Sequence, residues 1–212
     1  MNTAAALRWG APDARARARA LGVGLWVFIG VASTLFALFL TAYVMRMASG
    51  DGVTLAMPWQ LWLSTTLLVA GSVSMQTASA AARRALWARG RSWWLAGGAL
   101  ALAFLGAQGW AWQALQAAGV TIAGNPAGSF FYLLTAMHGL HVLGGLAAWA
   151  ATAQAVARPV VSATPAASAD AAQRIALCAR YWHFLLAVWA VLFAAMAGLT
   201  PELARLLCGV PA

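Results

Sequence analysis

Long apolar runs broken by short polar segments govern this chain. Five stretches are long enough to cross a bilayer, residues 21–45, 58–82, 93–117, 129–157 and 181–199. A membrane helix needs about 20 mostly apolar residues. The pattern therefore predicts an all-α fold, a polytopic membrane bundle of five transmembrane helices. Tryptophans gather near several run ends (Trp59, Trp62, Trp93, Trp94, Trp182), where an amphipathic ring suits the headgroup region. Residues 1–20 read as an N-terminal segment, 21–200 as the membrane domain and 201–212 as a tail. The first run, at about 25 residues, exceeds the 7–15 of a signal peptide's apolar region and is expected to stay as a span. Between runs, Gly124-Asn125-Pro126 marks a turn. Residues 158–180, with Pro159, Pro165 and many Ala and Ser, read as a flexible linker.

Composition agrees with lipid as the solvent. Hydrophobic residues make up 63% of the 212, charged residues only 8%, and mean hydropathy is +0.78; soluble domains carry about 25% charged residues. The net charge of +9 comes entirely from arginine on the basic side. Arg8, Arg15, Arg17 and Arg19 precede the first run; Arg83, Arg84, Arg89 and Arg91 lie between the second and third. Arg158, Arg174 and Arg180 lie between the fourth and fifth, and only Arg46 and Arg205 fall opposite. With alternating spans, the positive-inside rule predicts a cytoplasmic N-terminus and a periplasmic C-terminus. Basic charge distributed this way is topogenic, so nucleic acid is not an expected partner. Cys178 and Cys208 flank the last run. Helical rise would hold them about 45 Å apart, too far for a disulfide.

Polar groups at depth come next, because each costs energy unless partnered. The acids Asp13, Asp51, Asp170 and Glu202 all fall outside the predicted spans. A proton-driven transporter would ordinarily need one inside. His138 and His141, three apart, share a helix face about 14–18 Å into the bilayer. A His-x-x-His pair on one helix cannot hold both faces of a haem, so hydrogen bonding to neighbouring helices is the expected role. Gly139, Gly144 and Gly145, with Gly97, Gly98, Gly106 and Gly109, are expected to let helix backbones approach closely. Thr65, Ser72 and Gln76 form a polar stripe at helical spacing in the second run.

The words of the sequence go further. The fourth run reads Phe130-Phe131-Tyr132, then Thr135, His138-Gly139-Leu140-His141-Val142 and Gly144-Gly145; the fifth opens Tyr181-Trp182-His183-Phe184 and continues to Trp189 and Phe193. Together with Leu61–Thr65 and Ser72–Gln76 in the second run, and Leu25-Trp26-Val27-Phe28-Ile29 through Phe36, Phe39 and Tyr43 in the first, this resembles subunit III of the haem-copper oxidases over about residues 20–200. The match is to that family's five-helix form. It implies an accessory subunit of an oxidase such as cytochrome c oxidase, in the bacterial inner membrane. No catalytic, cofactor-binding or metal-ligating residue is implied in this chain. Haem and copper would lie in partner subunits, the catalytic subunit I and subunit II, and bound phospholipid is expected. The family role is to pack on and stabilise the catalytic subunit and to support proton uptake. Thr135, His138, Gly139, His141, Gly144, Gly145, Tyr181, Trp182, His183, Phe184, Trp189, Gln76 and Gln108 carry the motifs as structural or interface residues. The resemblance implies that three family acids are replaced, by Ala32, Ala111 and Leu186; the scaffold role survives that change, and what those carboxylates do in relatives this chain does otherwise or not at all. Competing readings are a quinol oxidase, the small subunit of a nitric oxide reductase, a stand-alone transporter or channel, and a b-type cytochrome.

Overall fold

The computed structural model describes residues 14–49, 57–121, 126–157 and 164–209. They form six helices: α1 (Ala14–Ala48), α2 (Gln60–Arg83), α3 (Trp87–Ala117), α4 (Pro126–Ala157), α5 (Pro165–Gly198) and α6 (Pro201–Cys208). Among the described residues there is no strand. The chain is a helical bundle of membrane type. Four segments are long and apolar enough to cross a bilayer: Arg19–Ala48, Trp87–Ala117, Ala127–Ala153 and Ala167–Gly198.

The remaining long helix, α2, has 24 residues, about 36 Å of rise. Its hydropathy falls short because it carries Ser64, Thr65, Thr66, Ser72, Ser74, Gln76, Thr77 and Ser79. Most of that polarity is masked. Thr65 donates to the Leu61 carbonyl at 2.7 Å, Thr66 to Trp62 at 2.9 Å, Ser74 to Ala70 at 2.8 Å and Thr77 to Val73 at 2.8 Å. A hydroxyl returned to its own helix in this way presents little polarity to its surroundings. The helix lies mainly along α3, with α5 on its other flank.

Two stretches are more ordered than their composition suggests. The 158–180 segment is not a linker throughout, because α5 starts at Pro165; residues 158–163 lie outside the described residues, as do 122–125 of the turn before α4. The Thr164 hydroxyl caps α5 by accepting from the Ala167 N–H at 3.3 Å, and Pro165 takes the first helical position, where a missing N–H costs nothing. Alanine, the best helix former, and an Asp170–Arg174 ion pair at 2.8 Å one turn apart continue it. The segment after residue 200 likewise holds α6, capped by Thr200 and ended by Gly209 at φ 67°. Glu202 in its first turn has its carboxyl pKa held below the usual value, chiefly by bonding its own backbone N–H and then by the Thr200 hydroxyl.

Packing centres on α5, which touches α2, α4 and α1, while α6 folds back on α1. Trp182 and Trp189 of α5, Trp94 and Phe104 of α3 and Phe131 of α4 are fully buried. By contrast α1 turns Val23, Val27, Val31 and Leu38 outward, each more than 60% exposed. The glycines divide. A Cβ on Gly98 would collide with the Trp149 indole, whose Nε1–H donates to the Trp94 carbonyl at 2.9 Å. One on Gly145 would come within 3.0 Å of Tyr181, and one on Gly97 within 2.8 Å of the flexible Met75 tip. Gly106, Gly109 and Gly144 would meet nothing within 4 Å, and Gly139 only Leu105 at 3.9 Å. Those four do not bring helices together within the chain, contrary to the expectation from composition. Gly98→Ala should therefore destabilise the detergent-solubilised chain by about 1–3 kcal/mol through overpacking. Gly106→Ala should leave its thermal unfolding midpoint unchanged or slightly raised.

Candidate functional site

The seam between α2 and α5 holds three cross-helix polar contacts. Trp189 Nε1–H donates to Thr65 Oγ1 at 2.9 Å, and that hydroxyl passes its own proton to the Leu61 carbonyl. Ser72 Oγ lies 2.6 Å from His183 Nδ1, and His183 Nε2 lies 3.1 Å from Gln76 Oε1. Since the amide oxygen only accepts, Nε2 carries the hydrogen, and in a neutral ring Nδ1 accepts from the serine. Ser72 is buried, whereas His183 and Gln76 are exposed at the edge of the bundle. The stripe of Thr65, Ser72 and Gln76 thus meets Trp189 and His183 of α5, side chains seven and four residues apart on the first helix and six apart on the second.

The α4 motif is drier. Thr135 donates to the Phe131 carbonyl at 2.7 Å and accepts from Trp112 Nε1–H at 3.0 Å. His138 is wholly buried among the rings of Trp189, Phe104 and Phe36, at centroid distances of 5.2, 5.7 and 6.3 Å. Neither of its nitrogens has a hydrogen-bond partner among the described residues, nor has either amide atom of buried Gln108. His141 Nδ1 donates to the Met137 carbonyl of its own helix at 2.7 Å, and the Tyr181 hydroxyl donates to the His141 carbonyl at 2.9 Å. The expected bonds from both imidazoles to neighbouring helices are absent: His138 contacts its neighbours through ring faces and edges, and the His141 bond stays within α4.

The positions at which the family resemblance implies replaced acids can be read from the same contacts. Phe28 and Phe36 both pack against the His141 ring, at 5.9 and 5.0 Å. Ala32, one turn from each and 3% exposed, lies on the same strip of α1. Ala111 is fully buried in α3, and Leu186 is half-buried in α5. Trp182 is buried and Phe184 half-buried beside them. Trp112 and Trp149 were not legible as partners of Thr135 and Trp94, because spacing along one helix says nothing about which residue faces it across another. Among the described residues, no three His, Cys, Asp or Glu side chains come together to hold a metal ion.

A groove of about 480 Å³ runs between α1, α4 and α5 on the side where Arg174 lies, lined by Leu25, Phe28, Gly144, Ala148, Tyr181 and Arg174 among others. Gly144, open on its outer side, borders this groove instead of a helix contact.

An imidazole buried without partners carries an unrecovered desolvation cost. His138→Leu should therefore leave the melting temperature of the solubilised chain at or above the native value, by up to about 2 kcal/mol in stability. A large drop would show a partner at one of its nitrogens.

Comparison with known proteins converges on one group. No family model matches the chain. It is 31% identical over 183 residues to a probable cytochrome c oxidase subunit 3 of Nocardia farcinica, covering 84% of this chain and 87% of that one. It is 33% identical over 159 residues to a probable cytochrome c oxidase subunit 3 of Mycobacterium leprae, covering 75% and 76%. Bacillus subtilis cytochrome c oxidase subunit 3 is 28% identical over 176 residues, covering 81% and 82%. With relatives matched over most of both lengths, and the aromatic–histidine motifs set into a membrane-type helical bundle, the chain belongs to the cytochrome c oxidase subunit 3 family of haem-copper oxidase accessory subunits.

Proposed function

We propose that the chain works in the bacterial inner membrane as a five-span subunit, with its N-terminus cytoplasmic and its C-terminus periplasmic. In that setting it packs on the catalytic subunit I, with subunit II close by, and keeps the haem- and copper-bearing core intact during turnover. The fifth span is α2. Its length suffices, and its hydroxyls are returned to helix carbonyls or to α5. The observation that carries the scaffold reading is the α2–α5 seam, where polar side chains at depth are committed to holding helices together. Residues 1–13 and 50–56, which enter the orientation argument through Arg8 and the first outer loop, lie outside the described residues.

Support for proton uptake falls to His183. Both its nitrogens face side chains able to adapt: Ser72 can donate to Nδ1 or accept from it, and the Gln76 oxygen accepts from Nε2 in either state. An imidazole so placed holds or releases a proton without losing either bond, at an exposed position three residues beyond Arg180. A bound phospholipid fits the groove between α1, α4 and α5, its tails against Leu25 and Phe28 and its headgroup toward Arg174.

Purification in mild detergent through a tag on this chain should bring down a haem-bearing subunit with oxygen-reducing activity, and the electron donor it accepts separates cytochrome c from quinol. A colourless monodisperse monomer would overturn the proposal. Within the complex, His183→Phe should slow proton uptake several-fold, about one decade or less, with haem content retained; unchanged uptake and oxygen consumption would remove the proton role and leave the scaffold role standing.

A further inference from the structure

The eight residues of α6 rise only about 12 Å, far short of a bilayer. Yet they expose Leu203, Leu206 and Leu207, and Leu206, at 76%, is the most exposed large apolar residue among those described. Valines and leucines bared along the membrane-spanning helices meet lipid tails. These three lie beyond the end of α5 and need a separate account.

Position on the helix divides α6 by chemistry. At 3.6 residues per turn, Leu203 and Leu207 share one face with Leu206 flanking it, while Glu202 and Arg205 share another, roughly 150° round. Ala204, fully buried, lies to the side of the leucine face and belongs to the same apolar cluster as Met47 and Ala48 at the end of α1. Leu199 and Thr200, both extended, break the line of α5. Continued straight, α6 would leave the bundle; instead it lies against α1. Leucines on one side and a charged pair on the other make the cross-section of a helix that lies along a water–lipid boundary.

The level of that boundary is marked independently by tryptophan. Trp59 and Trp62 at the start of α2 and Trp110 of α3 are all exposed, and exposed indoles favour the headgroup region. Trp59 meets Trp110 edge to face at 4.9 Å, and Trp62 meets Phe193 of α5 in the same way at 4.9 Å. Phe193 stands seven residues before Thr200, about 10 Å of rise. Since α2 runs antiparallel to α5, Trp59 lies about 4.5 Å further out than Trp62. α6 therefore begins within about 6 Å of the level of the outermost indole.

We infer that α6 is an interfacial helix, seated in the headgroup layer of the leaflet where α5 ends, with Leu203, Leu206 and Leu207 among the acyl chains and Glu202 and Arg205 toward water. Its partner is a lipid surface. The assignment goes beyond the proposed function and stands on the membrane-type bundle alone, whichever leaflet this is and whatever subunit the chain meets.

The test uses the full chain in vesicles of phosphatidylcholine and phosphatidylglycerol. Cys208→Ser removes the exposed thiol, Cys178 is buried, and a nitroxide is attached to Glu202→Cys, Leu203→Cys or Leu207→Cys. Oxygen, which concentrates in hydrocarbon, should relax the labels at Leu203 and Leu207 about threefold or more over a water-soluble nickel chelate, with the order reversed at Glu202. Relaxation chiefly by nickel at all three sites would put α6 in water and overturn the assignment. Shielding of Leu203 and Leu207 from both agents would mark a protein cover and overturn it equally. Because a label can perturb so short a helix, the photo-crosslinking residue benzoylphenylalanine is also placed at Leu207 of the tagged chain in its native membranes. Illumination should add phospholipid to the chain; adducts to another polypeptide alone would count against the lipid assignment.

Discussion

Polar side chains can sit in a bundle of this kind only when each finds a partner, and the arrangement of the helices follows from where α2 finds its own. Nine hydroxyl and amide residues make α2 the least apolar of the long helices. Several of its hydroxyls turn back to their own carbonyls, and the remainder of the stripe meets Trp189 and His183. Hydrogen bonds between membrane helices contribute only about 0.6–2 kcal/mol each. Their larger effect is on register, since Thr65 with Trp189 and Ser72 with His183 are satisfied together at one axial offset. A shift of one turn would strand all four. That constraint fixes α5 against α2, and α5 in turn carries the buried tryptophans around which α3 and α4 close.

The aromatic core then does for α4 what hydrogen bonds do for α2. His138 is enclosed by Trp189, Phe104 and Phe36, so three other helices meet at one ring. Ring-to-ring contacts contribute about 0.5–1.5 kcal/mol each beyond area burial, enough to offset part of the cost of burying two unpartnered nitrogens. Gly98 and Gly145 matter for the same reason: each leaves the space into which an aromatic ring, Trp149 or Tyr181, is packed. At these two positions the close approach is of ring to backbone, whereas at Gly90 the α2 backbone itself comes near, with the Ala78 carbonyl 3.5 Å from where a Cβ would stand.

How much of this the sequence disclosed depended on whether the signal was local. Run length gave the helices, and the histidine spacing gave the shared face of His138 and His141, because both follow from helical rise. The segment before Tyr181 misled, since Pro, Ser and Ala suit a linker or a helix equally; Thr164 before Pro165 was the local cue, a cap and a first-turn proline. The two prominent glycines of α4, Gly139 and Gly144, looked like contact residues, yet which side of a helix faces its neighbour is a tertiary fact. His183 was visible as a motif, but its clamp by Ser72 and Gln76 joins residues more than 100 positions apart and no spacing rule reaches that far.

The family resemblance implies a replaced acid at Ala32, one turn from each of the two rings that pack on His141. Ala32 stands where Phe28 and Phe36 flank the His141 ring, so a carboxylate in its place would have faced an imidazole in an apolar surrounding, where a charge needs a close partner. His141 donates Nδ1–H to the Met137 carbonyl of its own helix. His138, shut among aromatic rings, has no hydrogen-bond partner at either nitrogen among the described residues. His183 differs in kind: it stands at the bundle edge with a side-chain partner on each nitrogen. The α4 histidines are thus held by ring contacts and by a bond within their own helix, whereas His183 is held across the seam that sets α5 against α2.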